Sequence, residues 1–241
     1  MKTLFFTLQL FLVILVFGCS TKTVVLMEEY EDQKILGKNL TIVRLFDKPF
    51  VSNIDDIVDD LGSGVPLEVY DNYFNQNFIT FFKTSKCFKQ VDYHINHDKL
   101  NLTEQTLSIN DKEKMKFFLP EENSRYSNDG TNSDFVLFID DLSIMRGKVP
   151  QGYLGSPGDP NNNSFPGTTG SFASSGLYQN IYFVIWDNSE GKLVSFGRVE
   201  DQVDVMVEMT KGHWDLITQN LGRKILKDSP FSIRSAIYNN E

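Results

Sequence analysis

Cysteine is nearly absent. Cys19 and Cys87 are the only two in 241 residues, so a scaffold stapled by several disulfides is excluded and at most one bridge is available. Basic residues are in deficit: 23 Lys and Arg face 32 Asp and Glu, for a net charge of −9. Such a surface repels phosphate backbones, and the charge footprint of a nucleic-acid binder is missing. Histidine occurs three times. His94 and His97 stand three apart in HINH, without the H-E-x-x-H spacing of a helical zinc site. The G-x-S-x-G turn of α/β-hydrolases and the serine motifs of penicillin-binding enzymes do not occur. Gly62-Ser63-Gly64 lacks the lysine and the spacing of a phosphate loop. Long apolar runs are also wanting. Leu4–Phe17, broken only by Thr7 and Gln9, falls short of the roughly 20 residues that a spanning helix needs.

What is present suffices for a packed core. Hydrophobic residues make up 41% of the chain, and 20 are Phe; wholesale disorder is not expected of such a composition. The length suits one domain of generous size.

The first twenty residues have the layout of a secretory signal: Lys2, the apolar run, then Gly18-Cys19-Ser20. Val16-Phe17-Gly18-Cys19 resembles the lipobox of bacterial lipoproteins. The resemblance implies removal of residues 1–18, a diacylglycerol on the thiol of Cys19, and an N-terminal acyl chain. Anchoring of that kind exceeds the two-chain requirement for stable membrane attachment. Ser20 resembles the outer-membrane sorting pattern, which implies a lipid-anchored protein of the cell envelope facing the periplasm. A lipidated Cys19 leaves Cys87 without a partner, and beside Phe88 it reads as a small buried hydrophobe.

Residues 19–38 mix charge with short apolar pieces and read as a lipidated N-terminus and tether, with a short strand at Val24–Met27. Residues 39–241 read as one domain. Leu40–Phe46 is a strand. After Pro66, Leu67, Tyr70, Phe74, Phe78, Phe81 and Phe82 form a helical stripe. Phe88–His94 alternates as a strand. Thr103–Ile109 and Met115–Leu119 read as short strands, or as a strand and a helical turn. Glu121–Ser133 is a polar loop. Asp134–Met145 is a strand whose centre, VLFI, predicts burial on both faces. A long Gly-, Pro- and Asn-rich loop, residues 147–176, follows. Tyr178–Asp187 and Lys192–Val199 flank Asn188-Ser189-Glu190-Gly191 as a hairpin with Gly191 at positive φ. Asp201–Met209 is ambiguous. A helix from about His213 to Leu226 carries the stripe Trp214, Ile217, Leu221 and Ile225.

Three groups of side chains are candidates for chemistry. Asp55, Asp56, Asp59 and Asp60 lie i, i+4 and could attract a cation; the expected reading is a solvated short helix with Ile54, Val58 and Leu61 inward. Asp140 and Asp141 form a carboxylate pair, expected where a strand emerges into solvent. His94, His97 and His213 are the remaining acid–base candidates. No catalytic, cofactor or metal site is expected from these residues.

The order of elements predicts an α+β fold: a mixed, partly antiparallel sheet packed with two main helices, with the long loop between two strands. The strand Leu40–Phe46, the helix Leu67–Phe82, the strand Asp134–Leu142, the hairpin around Asp187–Val194 and the last helix together resemble the α/β domain of envelope lipoproteins. That group includes the curli-secretion lipoprotein, the lipoprotein activators of penicillin-binding proteins and the N-terminal domain of the Tol periplasmic protein. The resemblance implies a non-catalytic binding or assembly module with an envelope protein or polymer as partner. The loop is too polar and Pro-rich for a lipid-facing strand, so pore formation is not implied. A carrier of small ligands or cations, and an envelope hydrolase, are the competing functions.

Overall fold

A computed structural model describes residues 23–52, 55–110, 113–127, 133–147, 175–205, 208–227 and 229–231. Cys19, the signal-like segment and nearly all of the 147–176 loop lie outside these residues.

Nine strands are described: β1 (Val24–Leu26), β2 (Lys38–Arg44), β3 (Phe50–Ser52), β4 (Phe88–Ile95), β5 (Thr103–Ser108), β6 (Lys114–Leu119), β7 (Phe135–Gly147), β8 (Ser175–Asp187) and β9 (Lys192–Val205). Three helices accompany them: α1 (Asp55–Leu61), α2 (Pro66–Thr84) and α3 (Lys211–Lys227). The main sheet runs β1-β9-β8-β7-β2-β4, with β3 beside the far half of β7. β4, β2, β7 and β3 pair in parallel, whereas β7, β8, β9 and β1 pair antiparallel. The mixed sheet and two long helices match the expected class, with α1 as a short third helix.

α2 and α3 cover one face of the sheet. In α2, Tyr70, Phe74, Phe78 and Phe82 recur every fourth residue and are at most 1% exposed. Phe74 and Phe78 stack with centroids 4.8 Å apart, and Phe78 meets Phe82 at 5.0 Å. Each such ring contributes on the order of 2–3 kcal/mol by leaving water. Pro66 opens the helix, where its missing N–H would have had no helical partner. α3 presents Trp214, Ile217, Leu221 and Ile225, all buried. The two helices close at Gly222, where an added Cβ would sit 2.3 Å from the Phe81 ring.

The second face is covered in part by β5 and β6, which form a two-stranded sheet of their own among the described residues. Met115, Phe117 and Leu119 of that hairpin pack with Val43, Val136, Phe138, Val184, Trp186 and Phe196 of the sheet. Val136, Leu137, Phe138 and Ile139 are thus buried from both sides, as the apolar run predicts.

The structure differs from the sequence reading at several places. Part of the expected tether is built into the fold: β1 extends the sheet at β9, and buried Tyr30 donates to Asp187 Oδ2 at 3.1 Å. Gly197, at φ +150, admits β1; a Cβ there would lie 2.2 Å from the Thr23 carbonyl oxygen. In α1 the inward positions are Ile57 and Asp60, with Val58 and Leu61 half-buried. Asp60 turns in because Arg146 and Trp214 satisfy it there. The polar loop 121–133 hides Tyr126, which is 1% exposed. Its N–H donates to Asn188 Oδ1, while Asn188 Nδ2 donates to the carbonyls of Tyr126 and Ser133. This pins the loop under the β8–β9 turn. Gly191 closes that turn at φ +69, as expected, and also lets Asn123 approach, donating to its carbonyl at 2.8 Å.

Candidate functional site

Beyond the β5–β6 hairpin, the second face of the sheet becomes polar. Cross-strand pairing there aligns Asp141 with Tyr182 and Arg198, then Ser143 with Asn180 and Glu200, then Met145 with Tyr178 and Gln202. Neighbouring strands lie about 4.8 Å apart and successive rows about 6.6 Å, so the three rows form one continuous polar tray.

A bulge between Ile139 and Asp141 creates it. The extra residue, Asp140, changes which alternate residues face the helices: Phe135, Leu137 and Ile139 before it, Leu142 and Ile144 after it. Asp141 and Ser143 therefore continue the face begun by Val136 and Phe138. This corrects the expectation that Asp140 and Asp141 mark a strand end. β7 runs on to Gly147, and both carboxylates sit half-buried in mid-strand.

Their electrostatics follow from that burial. Desolvation pushes the Asp140 carboxyl up to about 6, with Asp141 and Glu104 adding to the shift and Lys99 opposing it. Lys99 Nζ lies 3.9 Å from Asp140 Oδ1, too far for a hydrogen bond, and 3.5 Å from the Phe118 ring centroid. Burial also raises Asp141, opposed by the Leu142 N–H and by Lys99.

Farther along, Tyr178 donates to Glu200 Oε2 at 2.8 Å, and burial, reinforced by Glu200, raises its phenol. Arg198 is 8% exposed, with Nε 3.9 Å from the same Glu200 oxygen. Asn180 is fully buried, yet neither its amide oxygen nor its amide nitrogen is hydrogen bonded. The Ser143 hydroxyl, also buried, has no partner either. Unpaired buried amides cost about 1–3 kcal/mol, and a native fold that keeps one invites a reason. The three rows bring a neutral amide, hydroxyls, a cation and carboxylates onto one largely buried face, a set whose chemistry matches a polar, hydroxyl-rich or mixed-charge ligand.

The other candidates do not join it. His94 lies on β4, His97 in the turn after it, and His213 in the first turn of α3, where its Nδ1 accepts from the Thr210 N–H at 3.0 Å. Asp60 belongs to the α1 contact with Arg146 and Trp214. Among the described residues, no three His, Cys, Asp or Glu side chains are placed to hold a metal ion. Cys87 is buried, as expected, and burial raises its thiol. A cleft of about 470 Å³ opens at the opposite end of the sheet. Its main polar groups satisfy one another: Tyr30 with Asp187, and Lys192 with Glu29 at 3.1 Å. Among the described residues no helix is long and apolar enough to cross a membrane.

Asn180, Tyr182, Ser143, Arg198 and Glu200 were not singled out by sequence. A signal existed, though Gln179 and Asp201 blur it: Tyr178, Asn180, Tyr182 and Arg198, Glu200, Gln202 are two triplets of alternate polar positions in adjacent strands.

No protein-family model and no curated protein sequence matches the chain. Several solved structures resemble it loosely. A PelC dodecamer from Paraburkholderia phytofirmans is 10% identical, over 86% of this chain and 98% of that one, at a TM-score of 0.37. A minor lipoprotein from Acinetobacter baumannii is 8% identical, over 81% and 92%, at 0.35. A putative neuraminyllactose-binding hemagglutinin homolog from Helicobacter pylori is 8% identical, over 80% and 82%, at 0.34. At these scores the likeness is loose even as a likeness of fold, and the site above rests on the residues of this chain alone.

Proposed function

We propose that this chain is a lipid-anchored module of the bacterial cell envelope, attached at Cys19, that binds an envelope protein or polymer on the polar tray without catalysing a reaction on it. The lipobox-like Val16-Phe17-Gly18-Cys19 supports the anchoring and the place. The observation that carries the binding is Asn180, a wholly buried amide with both ends unpaired between Ser143 and Glu200. A ligand supplying a donor and an acceptor there recovers the energy the fold forgoes.

The test uses the full-length protein solubilised from membranes and immobilised. Envelope proteins and glycans retained by the wild type are compared with those retained by Asn180→Leu and Arg198→Ala. A component held by the wild type and lost from both variants, with unchanged circular dichroism, supports the reading. Equal retention by all three removes the tray as the binding surface. Intact mass before and after Cys19→Ser tests the anchor separately.

One observation favours a hydrolytic second reading: burial pushes the Asp140 carboxyl up to about 6, closer to neutrality than an ordinary carboxylate, as acid–base catalysis requires. Turnover of ester, glycan or peptide substrates that Asp140→Asn abolishes would establish it; turnover unaffected by that change would dismiss Asp140.

A further inference from the structure

We infer that the projecting end of β7, β8 and β9 touches the membrane surface. The inference rests on the reading of Cys19 as the lipid-bearing residue and adds to it an orientation.

The argument is one of lengths and directions. β1 pairs antiparallel with β9, Val24 opposite Gly197. The Arg198 N–H donates to the Thr23 carbonyl at 2.8 Å, so the register holds to the last residue before β1. The backbone therefore leaves the N-terminal end of β1 in the direction in which β9 runs. β9 continues eight residues past Gly197, to Val205 (205 − 197). β8 and β7 accompany it, with Ser175 opposite Val205 and Gly147 opposite Gly176. At about 3.3 Å per residue these strands extend roughly 26 Å beyond the level of Val24.

Cys19 precedes Val24 by five residues (24 − 19). Fully extended, that stretch reaches at most about 18 Å. The strands thus outreach the anchor by roughly 8 Å, the difference of those two lengths. With the thioether at the headgroup level, an upright orientation carries the strand ends into the lipid. Tilting lays them along the surface. A tether that bends back brings the domain closer still.

The test places the full-length lipidated protein in vesicles of phosphatidylethanolamine and phosphatidylglycerol containing nitroxide-labelled lipid. In a Cys87→Ser background, an environment-sensitive fluorophore is attached at Gln202→Cys, which lies on β9 past Gly197. Glu208→Cys is a second position near the same end, should the first variant not fold. Ser189→Cys, in the turn at the opposite end of the sheet, is the control. The expected result is quenching at 202 or 208, little at 189, and loss of quenching at the first two when a flexible linker of about ten residues is inserted after Ser20. Quenching equal to that at 189, or unchanged by the linker, overturns the inference. Flotation with the vesicles and intact mass report lipidation independently. Protein that floats without quenching at 202 and 208 rejects the contact alone; protein that neither floats nor carries acyl mass rejects the Cys19 reading beneath it.

Discussion

Arg146 and Asp60 form a two-pronged buried ion pair. Arg146 Nε donates to Asp60 Oδ2 at 2.7 Å and one terminal nitrogen donates to Oδ1 at 3.3 Å, with side chains 9% and 6% exposed. Trp214 Nε1 adds a hydrogen bond to Oδ2 at 3.0 Å. One carboxylate thereby joins α1, the far half of β7 and α3.

Removing one member of that pair leaves the other charge buried. Asp60→Ala is expected to cost about 3–5 kcal/mol. Replacing both, as Asp60→Leu with Arg146→Met, is expected to cost much less, because no orphaned charge remains. Urea denaturation of the two variants and the wild type checks this. A double variant as unstable as Asp60→Ala would show that the pair organises the packing rather than merely neutralising itself.

Gly222 sets helix propensity against packing. Alanine in its place gains about 1 kcal/mol of intrinsic propensity. Its methyl meets the Phe81 ring at 2.3 Å, and overpacking of that kind costs about 1–3 kcal/mol. Gly222→Ala is therefore expected to destabilise by about 1 kcal/mol net. Its effect should turn favourable in a Phe81→Leu background, a coupling that a double-mutant cycle measures. A stabilised single variant would mean that Phe81 moves aside freely.

Asp140 predicts a pH dependence. Its carboxyl titrates near 6 in the fold against 3.8 ordinarily, so the folded state holds the proton more tightly. That contribution to stability is complete below about pH 4 and is lost as the pH rises through about 6. Above that, an ionised Asp140 is a burden of up to about 2–3 kcal/mol, at 1.36 kcal/mol per pH unit. Asp140→Asn, which keeps the neutral shape, is expected to be more stable than the wild type at about pH 7.5 and equal to it near pH 4. Denaturation across that range checks it, and a difference that does not change with pH counts against the assignment.

Asn180 predicts a trade of stability for binding. If its amide is kept for a ligand, Asn180→Leu should stabilise the unliganded protein by about 1–2 kcal/mol while weakening capture of the partner. Melting temperature and retention are read on the same preparation. Loss of stability on the change would mean that the amide is satisfied by ordered water.

Local periodicity determined much of this protein before any contact was known. The Tyr70–Phe82 and Trp214–Ile225 stripes, the doubly buried run Val136–Ile139 and the Gly191 turn all follow from neighbours at most a few residues apart. The burial of Cys87 beside Phe88 was legible in the same way. The resemblance at Gly18-Cys19 is likewise a property of sequence alone.

Tertiary structure decided the rest, and the reason is physical. Strand order depends on pairings such as Leu40 with Phe135, whose partners lie far apart and announce nothing locally. One extra residue at Asp140 determines which side chains of β7 face the helices, and so whether Asp141 and Ser143 meet Tyr182 and Asn180; alternation fixes a face only once the bulge is known. Asp60 reads as solvated because its partner is 86 residues away. The tray, the buried acid under α1 and the reach of β9 past β1 are products of pairing and register.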